Sequence, residues 1–437
     1  MDRSVQTGEE HLGEFFPPDD DILRMYDTEF GGVSPMQQCT YGTAESIYQQ
    51  LSQLVLIVLI SRFIKVIRLP SIVKDLLNIV LGIYVVRINV PDDSLFSTVL
   101  LIAFSLTLFN RVLKGSSKGV LVTTVGILTI ILLELNVQEV SLVRGVLMVL
   151  VMKMSSLAFD YSKSNSPPLF ETASFLLDPS IVIFGPFVGF EDWQISKDFV
   201  SKEKEVRSLL LGFFSFLSAL ICVIYSNCHS ELVQVNPITF DYLTAQSFRF
   251  SHYFICLFSQ GLWALAGGSG YVTNPLPIEF PRSLLDVVVE WNVPMHKYLR
   301  RYIYGSAKKY GKGVAVFFTF LVSSLLHGLN FQLSAVLVSL GLLCYGENAL
   351  RNRLSSRLSS CCRSRACAIC NHSRKSTNPV TLAINLLFSL LSIYHLIYLG
   401  MPFDGQSSPE HAIQTWSRHH FASHLISLFY IFLSKTI

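Results

Sequence analysis

The residues with the greatest capacity for chemistry are a histidine and an asparagine. His327 ends the apolar run Val314–Leu326 and is followed by Gly328. An imidazole titrates near neutral pH, so it can take the proton of a hydroxyl nucleophile. Gly328 leaves room for a substrate to approach. Ser323 lies four residues earlier, on the same helical face. An ionisable group inside an apolar segment is a functional candidate by default. A histidine packed against a neighbouring helix would give the same pattern. Asn292 stands in Glu290-Trp291-Asn292-Val293-Pro294. A carboxamide can hold a carbonyl oxygen or orient a nucleophile without carrying charge. It can equally cap a turn before proline. Trp291 could line an apolar channel or anchor a membrane interface.

Other groups read less sharply. The basic run Lys297, Arg300, Arg301, Lys308, Lys309 and Lys312, with Arg282 upstream, could meet phosphates. It could equally mark the cytosolic side and touch lipid headgroups. Cys361, Cys362, Cys367, Cys370 and His372 form a cluster. Cys367 and Cys370 have zinc-like spacing, but Cys361 and Cys362 are adjacent and make no second spaced pair. No metal is expected; juxtamembrane thiols among arginines fit S-acylation at Cys361 and Cys362. Cys39 and Cys228 both fall on the lumenal side, where a disulfide is permitted, and the sequence does not say whether they meet. His252 and His395 read as hydrogen-bonding histidines inside a helix bundle.

These residues need a membrane to position them. Of the 437 residues 51% are hydrophobic and only 15% charged, against roughly 25% charged in soluble domains. Mean hydropathy is +0.46. The net charge of +3 gives no footing for nucleic acid. The expected spans are Ile47–Ile67, Leu76–Val90, Leu95–Phe109, Val120–Leu135, Val143–Phe159, Leu209–Ile224, Phe250–Leu265, Val314–Leu326, Leu329–Leu343, Leu382–Leu399 and Phe421–Leu433. Phe170–Phe190 carries Pro179, Gly185, Pro186 and Gly189 and reads as a re-entrant element. The expectation is an all-α polytopic bundle of about eleven spans plus re-entrant segments.

Charge in the loops orients it. Basic groups follow the first span (Arg62, Lys65, Arg68), the third (Arg111, Lys114) and the ninth (Arg351 to Lys375), while acids fall between them (Asp92, Asp93, Glu134, Glu231). Lysine and arginine mark the cytosol. The N-terminus is then lumenal and the C-terminus cytosolic. Residues 1–46 are read as an acidic lumenal tail without the basic and apolar regions of a cleaved signal. Residues 47–437 form one membrane domain, with 351–375 its basic, cysteine-rich cytosolic loop.

The ordered motifs carry a resemblance. Phe280-Pro-Arg-Ser-Leu-Leu-Asp-Val-Val-Val-Glu-Trp-Asn-Val-Pro-Met is followed by Ser324-Leu-Leu-His327-Gly-Leu. This resembles the signature of the membrane-bound O-acyltransferase (MBOAT) family, an Asn or Asp in a loop and then a His at a helix end. Arg144 to Asp160, Phe184-Gly-Pro186 and Gln246 to Phe254 are similar to the branch of that family that acylates Wnt proteins. The similarity runs from about residue 47 onward and leaves out the acidic tail. The resemblance implies an internal tunnel, with an acyl-CoA, palmitoleoyl-CoA, entering from the cytosol as co-substrate and a Wnt serine from the lumen. No further cofactor is implied. It implies His327 and Asn292 as the catalytic pair, with Trp291, Ser323, Arg282 and Arg301 along the acyl-CoA path. It places the chain in the endoplasmic reticulum membrane. Rival readings are a family member acting on a lysophospholipid or small peptide, and a non-catalytic transporter-like bundle.

Overall fold

The computed structural model describes residues 34–137, 139–164, 166–197, 202–229, 237–367, 369–405, 408 and 410–437. The expected tail therefore lies mostly outside the described residues. Among the described residues the chain is helical, and the only extended pairing is an isolated bridge between Ser360 and Arg374.

Helix α1 (Pro35–Val66) begins twelve residues before the expected span. Pro35 sits at its first position, and Ser34 and Gln37 form a reciprocal capping box. The helix therefore starts before residue 46: local capping extends it into polar sequence that hydropathy alone reads as tail. Then follow α2 (Ser71–Asn89), α3 (Asp93–Val112), α4 (Lys118–Asn136) and α5 (Arg144–Asp160). Two short helices, α6 (Leu169–Leu176) and α7 (Phe190–Lys197), flank an irregular stretch. The long helices α8 (Lys202–Cys228) and α9 (Pro237–Leu265) pack along each other. Next come α10 (Pro275–Glu279), α11 (Leu284–Trp291) and α12 (Val293–Tyr298), which continues through a π-turn at Leu299–Tyr304. The chain closes with α13 (Lys312–Leu326), α14 (Phe331–Arg357), α15 (Pro379–Gly400), α16 (His411–Arg418) and α17 (Ala422–Thr436).

Every expected span coincides with one of these helices. Among the described residues seven helical stretches are long and apolar enough to cross a membrane, those at α1, α3, α4, α5, α8, α14 and α15. α14 runs fourteen residues beyond the expected end of its span, so Arg351 belongs to a helix and not to the loop after it. The reason is local: Arg351 and Glu347 are one turn apart, paired at 3.2 Å and buried.

The polarity of the bundle is inverted relative to a soluble protein. Leu101, Phe104, Phe213, Phe214, Leu386 and Phe432 face outward. Lys153, Asp178, Glu347 and Arg351 are buried. Hydrocarbon outside and paired charge inside is what a lipid solvent selects. The irregular stretch between α6 and α7 shows how its backbone is satisfied away from water. Lys153 Nζ on α5 donates to the carbonyls of Phe175 and Leu176 at 3.0 and 3.1 Å. Asp178 accepts from Ser180 N at 3.0 Å, Ser180 Oγ at 2.5 Å and Trp193 Nε1 at 2.9 Å. The expected re-entrant character of Phe170–Phe190 thus has its structural counterpart: broken helix, held by buried polar groups.

Helix ends that meet in space agree with the charge alternation. Arg62 and Lys65 near the end of α1 donate to the carbonyls of Leu265 and Ala266 at the end of α9, at 2.7 and 3.0 Å. Cys39 and Cys228 form a disulfide joining the start of α1 to the end of α8.

Candidate active site

Asn292 lies at a joint. It ends α11 and begins α12, and its Oδ1 accepts the N–H of Met295 at 3.0 Å. The turn role that the sequence allowed is therefore real. It also has a chemical consequence. With the oxygen committed to the cap, the Nδ2 amine is the end of the carboxamide left to donate. Pro294 at the second helical position lacks an N–H where none is needed, which fixes the joint. The neighbouring backbone is pinned as well: Val293 N donates to Val272 O at 2.8 Å, and Thr273 Oγ1 donates to Glu290 O at 3.0 Å.

Trp291, the preceding residue, is stacked on His252 of α9, with ring centroids 4.4 Å apart at 16°. His252 Nε2 lies 3.0 Å from the Trp291 carbonyl oxygen, which can only accept, so this nitrogen carries the proton. Two buried polar atoms flank Asn292 without a hydrogen-bond partner among the described residues, Glu290 Oε2 and His296 Nε2. Buried polar atoms are rarely left so, although the Glu290 side chain is also hydrogen-bonded with Tyr271.

His327 ends α13, with its backbone N–H donating to Ser324 O at 3.0 Å. Its ring is half-buried and has no hydrogen-bond partner among the described residues. His252 and Arg144 both lie within electrostatic reach of it. The turn that follows is clamped. Gly328 has φ +82°, a conformation that favours glycine, and its backbone abuts the Glu134 carboxylate of α4. Glu134 Oε2 accepts the Leu329 N–H, while Oε1 is paired with Arg144 Nε at 2.5 Å. His327 thus sits at a backbone corner held by an ion pair from two other helices.

The remaining sequence candidates divide. Ser323 is buried one turn before His327, on the expected face. Arg301 is 64% exposed and paired with Asp160 at 2.8 Å, so it remains at the surface. Arg282 is committed elsewhere: Nη2 donates to Cys361 O at 2.9 Å and Nε to Arg363 O at 3.3 Å. In this structure it braces the residues just before α11 against the loop after α14. Cys361 and Cys362 are buried, not displayed to the membrane surface, because the loop folds back on α14 and α15. His395 bonds Ser423 Oγ at 2.8 Å inside the bundle, as its sequence context suggested. His252 is the hydrogen-bonding histidine that the sequence suggested, bonded to the Trp291 carbonyl; Glu290 and His296 were not singled out. Glu290 and His296 lie close to Asn292 along the chain, whereas the contact of His252 with Trp291 depends on how α9 meets α11.

The sequence profile of MBOAT, the membrane-bound O-acyltransferase family, matches residues 92–366. That stretch contains His252, Asn292 and His327. The chain is 33% identical to the protein-serine O-palmitoleoyltransferase porcupine of Caenorhabditis briggsae, over 67% of this chain and 70% of the relative. It is 32% identical to the protein of that name from Anopheles gambiae, over 69% and 70% of the two chains. It is 29% identical to the Homo sapiens protein of that name, over 90% and 95% of the two chains. With an asparagine at a helix joint, a histidine at a helix end and a helical membrane bundle around them, this chain belongs to the membrane-bound O-acyltransferase family.

Proposed function

We propose that this protein is a protein-serine O-palmitoleoyltransferase of the endoplasmic reticulum membrane. It moves a palmitoleoyl group from acyl-CoA to a serine hydroxyl of a Wnt protein. The observation that carries the reading is the similarity to enzymes of that name along 90% of the chain. The free Nδ2 of Asn292 and the unpartnered ring of His327 support it chemically.

In this mechanism His327 takes the proton of the acceptor serine as its oxygen attacks the thioester carbonyl. Charge develops on that carbonyl oxygen, and Asn292 Nδ2–H donates to it. The tetrahedral intermediate then collapses, the carbon–sulfur bond breaks, and the imidazolium returns its proton to the departing CoA thiolate. Thiolate is a good leaving group, so positioning plus one base and one donor can carry the step.

The charge alternation favours an N-terminus in the lumen and a C-terminus in the cytosol. The asparagine joint then opens to the side that holds acyl-CoA, and the His327 end of α13 to the side that holds a secreted acceptor. A tunnel between the two would let the acyl chain cross while CoA and protein stay on opposite sides.

The test is an acceptor panel. Detergent-purified protein is incubated with palmitoleoyl-CoA and, separately, a Wnt-hairpin serine peptide, an unrelated small peptide and a lysophospholipid, with products read by mass spectrometry. Acylation confined to the hairpin serine is the expected result. Transfer to the lysophospholipid alone would move the chain to another branch of the family, and no turnover of acyl-CoA with any acceptor would overturn the enzymatic reading.

A further inference from the structure

The loop between α14 and α15 carries a second constellation that acyl transfer does not use. One ligand atom from each of Cys361, Cys367, Cys370 and His372 lies within 4.8 Å of the other three. His372 Nδ1 is 3.5 Å from Cys370 Sγ and 3.8 Å from Cys367 Sγ. A tetrahedral zinc ion with ordinary bond lengths separates sulfur from nitrogen by about 3.6 Å and sulfur from sulfur by about 3.8 Å. The four atoms already stand near the corners of such a figure.

Along the chain, adjacent Cys361 and Cys362 make no second spaced pair, which spoke against a metal. The fold uses only one of the two. Cys362 Sγ turns away toward the Arg351 carbonyl at 3.9 Å. Cys361 turns in, and His372, two residues past Cys370, supplies the fourth corner. The loop is closed by backbone bonds from Cys361 N to Arg374 O at 3.0 Å and from Arg374 N to Ser359 O at 2.9 Å. Those bonds bring the early and late ligands together.

The histidine is also held in the tautomer that ligation needs. Ser355 Oγ donates its one proton to Ser360 O at 2.7 Å, so toward His372 Nε2, 3.1 Å away, it acts as acceptor. Nε2 therefore carries the hydrogen, and the Nδ1 lone pair points at the sulfurs. Outer-shell bonds of this kind fix the orientation of metal-bound imidazoles. Three thiolates around a divalent ion leave one negative charge. The loop is basic, with Arg363, Arg365, Arg374 and Lys375 and no acid among them.

We propose that Cys361, Cys367, Cys370 and His372 bind a structural zinc ion that fastens this loop beneath the asparagine joint. Four protein ligands leave no open position, so the ion is structural and not catalytic. The loop it would fasten grips the start of α11. Arg282 Nη2 donates to Cys361 O at 2.9 Å, and Ser283 Oγ, which caps α11, donates to Ser364 O at 3.1 Å. Helix α11 ends at Asn292. The proposal does not depend on what the enzyme acylates.

The experiment is metal analysis of the full-length protein, purified in detergent without chelator, by inductively coupled plasma mass spectrometry. About one zinc per chain is expected, as for a closed four-ligand site. Cys370→Ser and His372→Ala should lose at least four-fifths of it, and Cys362→Ser, outside the cluster, should keep it. Should the first two variants fail to fold, the wild-type protein decides. After cobalt exchange it should show the visible bands of tetrahedral cobalt and a thiolate charge-transfer band. Chelation should then make Cys361, Cys367 and Cys370 newly reactive to iodoacetamide. The proposal is overturned by wild-type protein with less than a fifth of an equivalent of zinc and no cobalt bands. It is equally overturned by hydroxylamine-labile acyl groups on Cys361 or Cys370, since an acylated thiol cannot ligate.

Discussion

His252 lies flat against Trp291 and donates from Nε2 to that residue's own carbonyl at 3.0 Å. One side chain thus fixes both the ring and the peptide immediately before Asn292. Stacking contributes ~0.5–1.5 kcal/mol and the hydrogen bond a similar amount. His252→Ala should lower kcat/KM by about tenfold, the equivalent of ~1.4 kcal/mol, through a misplaced asparagine. His252→Phe keeps the stack and loses the donor, and should fall between the two. The readout is palmitoleoyl transfer to the hairpin peptide, beside thermal unfolding of each variant. Equal activity in all three would mean the stack positions nothing.

Asn292 can be split into its two ends. Asn292→Asp keeps an oxygen to accept the Met295 N–H and so keeps the cap, but removes the Nδ2 donor. Asn292→Ala removes both and adds the loss of a cap, ~1 kcal/mol of stability. Asp should therefore unfold at the wild-type temperature and lose about a hundredfold in kcat, the scale of removing one oxyanion donor. Ala should lose activity and melt earlier. An active Asp variant would show that the cap is the residue's whole task.

How far the sequence reaches can be judged on these residues. The helices were legible, because an apolar run of span length is stable in few places except a bilayer. Their ends were not. α1 starts at a capping box, and α14 continues because Glu347 and Arg351 pair one turn apart; both are local contacts that hydropathy averages away. His327 and Asn292 stood out as polar groups at helix ends. His252 did not, since its importance is a contact between α9 and α11. In the cysteine loop too, spacing along the chain does not give the arrangement in space: a backbone bridge between Ser360 and Arg374 folds the chain back and brings Cys361 beside Cys367, Cys370 and His372.

The corner after His327 should be sensitive to small changes. A Cβ on Gly328 would run into the Glu134 carboxylate, and φ +82° is strained for any other residue. Gly328→Ala should displace the corner and reduce kcat at least tenfold. Glu134→Gln keeps an acceptor for Leu329 N–H while losing the charge that holds Arg144. Its effect should be smaller, and Arg144→Gln should be little worse when combined with it, because the pair acts as a unit. A double-mutant series on kcat checks this; fully additive losses would mean the two groups work separately.

The buried pair Glu347–Arg351 gives a stability test. Arg351 also donates to Asn385 Oδ1 at 2.8 Å and to the carbonyls of Arg282 and Arg363, while Glu347 accepts from Leu284 N at 2.8 Å. Removing one partner strands the other charge, at a cost of ~3–5 kcal/mol. Arg351→Met should give a sharply lower unfolding temperature in detergent. Glu347→Gln with Arg351→Met should recover part of it. No recovery would mean that Arg351 acts through the loop carbonyls and not through the carboxylate.

Orientation can be read from Asn371-His372-Ser373, a glycosylation acceptor sequence inside the basic loop. Asn371 is exposed, so an enzyme on its side of the membrane could reach it. The arginines around it should hold the loop in the cytosol. The protein expressed in mammalian cells should carry no glycan there, whereas an acceptor engineered next to Asp92 should be modified. Endoglycosidase-sensitive sugar on Asn371 would reverse the assigned topology.

His327 and Asn292 should act together. If His327 is the base and Asn292 the carbonyl donor, both act on the same transition state. Removing either leaves a site that cannot use the other in full. His327→Ala and Asn292→Asp should each cost ~2–4 kcal/mol in transition-state stabilisation, the range for one base or one oxyanion donor. The double variant should be little worse than the worse single one, as for groups that act as a unit. Binding of a non-hydrolysable acyl-CoA should survive His327→Ala, because the α13 end meets the acceptor hydroxyl and not the nucleotide. The measurement pairs hairpin acylation with acyl-CoA binding in monodisperse protein. A His327→Gln variant controls for packing, since it fills much of the volume and keeps a polar tip without supplying a base. Near-normal turnover in that variant would make His327 a packing residue. Lost turnover with acyl-CoA affinity and unfolding temperature unchanged would leave the base as its role.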